Sequence, residues 1–169
     1  MSDKPTIDIT LDGAPRTIEA GTTGTLLLQD AVKKDGVVAM RVNGEPWDLD
    51  RQVPAGAVVE PITLSSEDGL NILRHSATHV MAQAVQEMFP GVDLGIGPFI
   101  TDGFYYDFGA IDAVTPEMLR EIEKRMKRIV KEGQRFVRRD ITEAEGREEL
   151  ADQPYKLELI TTKGAGAEG

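Results

Sequence analysis

Apolar and polar residues alternate from Thr6 to Leu11, the period of a half-buried strand. Asp12-Gly13 is a turn signal, and Arg16 to Glu19 can return as the second strand of a hairpin. Thr25 to Lys34 carries Leu26, Leu27 and Val32 among good helix formers and stops at Asp35-Gly36, which predicts one helix. Val37 to Val42 is β-rich and ends in Asn43-Gly44, a second hairpin turn. Ala57 to Leu64 reads as a last strand, closed by Ser65-Ser66. The order ββαββ, with a short connection containing Trp47, predicts a β-grasp (ubiquitin-like) sheet wrapped on one helix over residues 1–64.

The pattern changes period near Ser65. Ser66 is a candidate N-cap for a helix reaching about Phe89, where Pro90-Gly91 stops it. At helical phase Leu70, Leu73, Ala77, Val80, Met81, Ala84 and Met88 form one apolar stripe. His75 and His79 then project almost opposite it, beside Ala82, Gln83 and Gln86. Leu94 to Ile100 and Phe104 to Phe108 read as two strands around Asp102-Gly103. Thr115-Pro116-Glu117 is a helix start, and Met118, Leu119, Ile122, Met126, Ile129 and Val130 make that helix's apolar face up to Gly133. Phe136 to Ile141 is expected as a strand, Thr142 as the cap of a short acidic helix, and Tyr155 to Ile160 as an ordered apolar segment. Residues 161–169 have no pattern and are expected to fray. The fold class is therefore α+β: a first module at 1–64, a second at 65–160, and a flexible tail at 161–169.

Composition narrows the possibilities. The chain has 169 residues, 40% hydrophobic and 28% charged, within the range of globular proteins. It has no cysteine, which excludes disulfides and thiolate chemistry, and no apolar run long enough to span a bilayer or act as a secretory signal. A cytoplasmic protein without a membrane partner is the expectation. The net charge of −10 argues against nucleic-acid binding by the whole surface. One segment differs: residues 115–139 hold 9 basic and 4 acidic groups, a local net of +5.

The two histidines are the only ones in the chain, and in Leu73-Arg74-His75-Ser76-Ala77-Thr78-His79 they stand one helical turn apart. Two imidazoles so placed can grip one metal ion or orient one water or substrate group. Spacing alone leaves a structural role equally open. The pair lacks the internal Glu of a metalloprotease helix, and two ligands leave a zinc site incomplete, so no metal site is expected. In Phe104 to Phe108, period-2 geometry puts Phe104, Tyr106 and Phe108 on one side, to fill a core or line a pocket. Lys124, Arg125, Lys127, Arg128 and Lys131 read first as the solvated face of an amphipathic helix and second as a contact for RNA phosphates. Gly95-Ile96-Gly97-Pro98 is not followed by Gly-Lys-Ser/Thr and so is no P-loop.

Four motifs in one order carry a resemblance. They are Ile72 to His79; Ile96-Gly97-Pro98 with Asp102-Gly103-Phe104-Tyr105-Tyr106-Asp107-Phe108; Ile122 to Lys127; and Tyr155-Lys156-Leu157. Behind a β-grasp module they resemble the N-terminal part of the bacterial threonyl-tRNA synthetase family: a TGS domain, then an editing-type domain. Alanyl-tRNA synthetase editing domains share the histidine pair, but the leading β-grasp module favours the threonyl family. The resemblance covers about residues 5–160.

What it implies is hydrolytic proofreading, in which water removes serine wrongly esterified to threonine tRNA. His75 and His79 would position the water and the terminal ribose, Tyr106 would line the pocket, and Lys156 would contact substrate or the leaving oxygen. The family's site is completed by a later Cys-x-x-x-His segment, which these residues do not contain. ATP, Mg and Zn belong to the family's aminoacylation core, so no cofactor is expected here. The expectation is a truncated N-terminal fragment whose partners are threonine tRNA and the remainder of the synthetase chain, and which alone neither charges tRNA nor edits efficiently. A non-catalytic RNA- or protein-binding TGS module, or a free-standing editing factor completed by another chain, are the alternatives.

Overall fold

The computed structural model describes residues 5–109, 111 and 113–163. The chain forms two compact units, Met1–Leu73 and Arg74–Gly169. In the first, β1 (Thr6–Leu11) and β2 (Ala14–Glu19) form the expected antiparallel hairpin. Its turn holds Asp12 and Gly13 at φ 51° and 78°, the paired left-handed conformations that a two-residue hairpin turn demands. The single helix expected over Thr25–Lys34 is instead two short ones, α1 (Gly24–Leu27) and α2 (Gln29–Asp35). They break at Leu28, which leaves helical geometry at φ −105°, ψ 15° and is buried in the core. Tertiary burial of that leucine overrides the continuous helical propensity.

The remaining strands are β3 (Val37–Val42), β4 (Glu45–Trp47) and β5 (Val58–Thr63). The connection containing Trp47 is thus itself a short strand, with the Arg51 guanidinium stacked 3.4 Å from the indole centre. The sheet order is β2-β1-β5-β3-β4, with β1 and β5 parallel and the other neighbours antiparallel. A parallel pair needs a crossover, and β2, α1, α2, β3 and β4 supply it. This five-stranded mixed sheet with helices on it is the expected β-grasp arrangement. Ile9, Leu28, Val37, Met40, Val42, Val53, Ala57 and Val59 form its core.

Helix α3 runs over Glu67–Met88. Ser66 caps it: its hydroxyl accepts the Gly69 N–H at 3.1 Å and donates to the Thr63 carbonyl at 2.7 Å. Asp68 pairs with Arg41 of β3. Gly69 is buried so tightly that a Cβ there would overlap the Thr63 carbonyl oxygen. These contacts hold the first turn of α3 against the sheet module. The division into compact units falls inside α3, after Leu73.

That division corrects the expected apolar stripe. Leu73 is 50% exposed and Leu70 is exposed as well, while Thr78, Ala82, Ala84 and Val85 are buried. The helix serves one unit up to Leu73 and another from Arg74, so no single stripe describes it.

In the second unit, β6 (Asp93–Leu94) pairs with β9 (Phe108–Gly109), and β7 (Phe99–Ile100) with β8 (Gly103–Phe104). The expected two strands are therefore a hairpin with an interrupted middle, bridged where Gly95 N–H donates to the Asp107 carbonyl and Asp107 N–H to the Ile96 carbonyl, each at 2.9 Å. Helix α4 (Pro116–Glu132) starts at its Thr115 cap and ends at Gly133 in the left-handed region. Ile129 is buried, whereas Leu119 and Val130 are exposed. Arg125 and Arg128 both reach Glu87 of α3.

Phe136–Ile141 forms no strand. Phe136 is 66% and Val137 86% exposed, and no described segment pairs with them. A segment makes a strand only when another strand completes its hydrogen bonds. Thr142 caps α5 (Glu143–Glu149) as expected, and the segment around Tyr155 is a helix, α6 (Pro154–Lys163). Of the expected tail, 161–163 finish α6, and 164–169 lie outside the described residues. No described helix is long and apolar enough to cross a membrane.

Gly69→Ala separates propensity from packing. Alanine adds up to about 1 kcal/mol of helix propensity, but overpacking against a fixed carbonyl costs about 1–3 kcal/mol. Urea unfolding of the variant is expected to show net destabilisation, and a gain in stability would contradict the close approach.

Candidate functional site

One turn of α3 places the two imidazoles in contact, with Nε2 atoms 3.1 Å apart and ring planes at 85°. A nitrogen pair at that distance shares one proton. With both rings neutral, the donor carries its proton on Nε2 and has a bare Nδ1. The acceptor carries its proton on Nδ1. The pair thus offers its surroundings one basic nitrogen and one N–H.

Thr78, between the two histidines and 1% exposed, donates its hydroxyl to the His75 carbonyl at 2.6 Å. In an α-helix that carbonyl also accepts the His79 N–H. The peptide that spaces the two rings therefore holds two donors, one of them buried.

The interrupted hairpin supplies Tyr106. As expected from period 2, Phe104, Tyr106 and Phe108 are the more buried residues, and Tyr105 and Asp107 are exposed. Tyr106 stacks on Phe108 with centroids 4.7 Å apart. Its other neighbour is Gly97, where a Cβ would overlap the tyrosine ring. Helix α6 supplies Lys156, whose Nζ lies 6.0 Å from the Tyr106 ring centre.

The pKa directions tie these groups together. Burial lowers that of His79 below 6.5, and the nearby charges of His75 and Lys156 lower it further. His79 keeps over a third of its surface in solvent even so. Burial also pushes the Tyr106 phenol up and the Lys156 ammonium down. His75, His79, Tyr106 and Lys156, from α3, the hairpin and α6, are thus neighbours in one region of the second unit.

A cavity of about 460 Å³ opens beside His79, walled by Val80, Gln83, Ile129 and Phe136. Phe136 stands edge-on to His79, with centroids 6.1 Å apart. Gly97, Thr78 and Phe136 are not singled out as site residues by the sequence. Gly97 has a legible signal, a glycine between Ile96 and Pro98 opposite an aromatic strand, while the others carry none.

The five basic residues named on α4 are largely paired. Lys124 meets Glu121 at 3.7 Å, Arg125 meets Glu121 at 3.0 Å and Glu87 at 3.4 Å, and Lys127 meets Glu123 at 2.6 Å. Arg128 reaches Glu87 and Glu132, and Lys131 lies exposed in the last turn. Among the described residues no group of three or more His, Asp and Glu side chains is placed to hold a metal ion.

No protein-family profile matches the chain. Curated relatives do. The chain is 68% identical over 166 residues to the threonine–tRNA ligase of Cutibacterium acnes, covering 96% of this chain and 24% of that protein. It is 54% identical to the enzyme of the same name from Thermobifida fusca and 51% to that of Pseudarthrobacter chlorophenolicus, in each case over 99% of this chain and 25% of the relative. The chain therefore spans about a quarter of the length of the relatives it matches, and it is homologous to the N-terminal region of bacterial threonine–tRNA ligases.

A histidine with a lowered folded pKa binds protons more readily when unfolded. Its contribution to stability is complete above the unfolded value of 6.5 and is lost as pH falls from there toward the folded value. Replacing His79 by Gln is expected to flatten the pH dependence of the unfolding midpoint in that window, and an unchanged slope would contradict the shift. Separately, Gly97→Ala is expected to unstack Tyr106 from Phe108, seen as loss of the ring-current shift of the Tyr106 ring protons in NMR.

Proposed function

We propose that this homologue of the N-terminal region of threonine–tRNA ligases carries part of a proofreading site that hydrolyses serine wrongly esterified to threonine tRNA. The observation that supports it most is the gathering of His75, His79 and Lys156. Two imidazoles share a proton, and a half-buried ammonium stands close enough to depress the nearer one.

Hydrolysis of an aminoacyl ester needs a water at the carbonyl carbon, a group to take a water proton, and a group to return a proton to the departing ribose oxygen. The bare Nδ1 of the histidine pair takes the proton, and the Nδ1–H of its partner orients water or ribose by donating a hydrogen bond. The C–O bond to the ribose breaks, and the leaving oxygen gains a proton from Lys156, whose burial loosens its hold on that proton. Tyr106 walls the site. Nothing in this scheme requires a cofactor in these residues.

The α4 face would meet the tRNA backbone by exchanging its exposed carboxylate partners. Surface pairs of this kind are worth under about 1 kcal/mol each, so phosphates can displace them. ATP-dependent charging, with its metals, would belong to the parts of the relatives that this chain does not span.

Placed in a complete threonine–tRNA ligase, His79→Ala is expected to slow release of serine from mischarged threonine tRNA by at least about a hundredfold. Threonine charging should be unaffected. Equal loss of both activities, or no loss of serine release, would refute the assignment. The 169 residues alone are expected to release serine inefficiently.

A further inference from the structure

Gln153 immediately precedes α6 and holds the position of its N-cap. An N-cap side chain ordinarily folds back onto the N–H groups of its own first turn. This one reaches away. Its Oε1 accepts the Leu94 N–H at 2.8 Å, and its Nε2 donates to the Val92 carbonyl at 3.3 Å. Its backbone meanwhile holds the helix start, because the Gln153 carbonyl accepts the N–H of Lys156 at 3.0 Å and of Leu157 at 3.1 Å. Its own N–H donates to the Leu150 carbonyl at 2.8 Å. Pro154 has no N–H to satisfy at the first helical position, which leaves the amide side chain free for the strand.

The strand it grips matters. Leu94 belongs to β6, which pairs with β9 at Phe108, and Phe108 stacks on Tyr106. One side chain thus ties the hairpin that carries Tyr106 to the first turn of the helix that carries Lys156. An amide satisfies both demands because it is donor and acceptor at once.

We propose that Gln153 is the positioning residue for Lys156: its amide fixes where the lysine ammonium stands relative to Tyr106 and His79. It touches neither substrate nor the reacting atoms. The inference rests on the proofreading reading only in giving Lys156 a task, and the placement of the ammonium can be measured without catalysis. If the tie is cut, the first turn of α6 drifts from β6, the ammonium regains water, and its proton affinity returns toward the ordinary lysine range.

The test is NMR titration of the 169-residue chain carrying isotopically methylated lysines, with the Lys156 signal assigned by Lys156→Arg. Gln153→Met keeps the length and removes both hydrogen-bonding atoms, and Gln153→Ala removes the side chain. Both are expected to raise the Lys156 midpoint by about half a pH unit or more. The Tyr106 and Phe108 ring signals should stay dispersed in Gln153→Met. An unchanged midpoint in that variant would overturn the proposal, since shape and not the amide would then be holding the helix. Loss of dispersed hairpin signals in both variants would overturn it too, because Gln153 would then support the whole unit and not the lysine in particular. Serine release in a complete ligase carrying Gln153→Met separates the two readings. A raised midpoint with unchanged release supports the clamp and counts against Lys156 as the proton donor.

Discussion

The pitch of one helix sets the terms for everything else in the second unit. With 3.6 residues per turn, side chains four apart lie one above the other, and in α3 this brings the Nε2 atoms of His75 and His79 to 3.1 Å. At that distance the rings are no longer independent groups. They share a proton, a charge on His75 opposes protonation of His79, and they present one acceptor and one donor to their surroundings. The Thr78 hydroxyl adds a second donor to the His75 carbonyl from the buried side of the helix.

The other elements bring chemistry to that pair. The hairpin is interrupted where Ile96-Gly97-Pro98 faces Tyr105-Tyr106-Asp107, and the absence of a side chain at Gly97 lets the tyrosine ring lie against the backbone. Helix α6, held to β6 by the amide of Gln153, brings the Lys156 ammonium to 6.0 Å from the centre of that ring. Partial burial then shifts each group in the direction that suits proton transfer: imidazole and ammonium toward their neutral forms, phenol toward staying protonated. The first unit contributes none of these groups. It is a closed β-grasp core that anchors the first turn of α3 through Ser66, Asp68 and Gly69.

Much of this is legible in the sequence where local chemistry decides conformation. Asp12-Gly13 and Asn43-Gly44 need left-handed backbone, and both have it. Thr115-Pro116 and Gly133 mark the ends of α4. The histidine pair is readable from its spacing, whereas Tyr106 and Lys156 enter as site residues only through the family resemblance. What is not legible depends on neighbours distant in sequence. Leu28 splits a helix because it is drawn into the core. Leu70 and Leu73 look like core residues but are exposed, whereas Thr78, Ala82 and Ala84 further along α3 are buried. Phe136 to Ile141 is expected as a strand but has no pairing partner among the described residues. Gln153 could be read only as the residue before Pro154, a helix start, because its role lies in bonds to residues about 60 positions earlier.

The central claim is that His75 and His79 act as one proton-sharing unit. Long-range proton–nitrogen NMR of the histidine rings at pH 8 tests it directly, because it reports which nitrogen of each ring carries the proton. The shared bond predicts unlike tautomers, one ring protonated at Nε2 and the other at Nδ1, or equal averaging of the two if they exchange quickly. Both rings predominantly protonated at Nε2 would contradict it, since neither could then accept the other's proton.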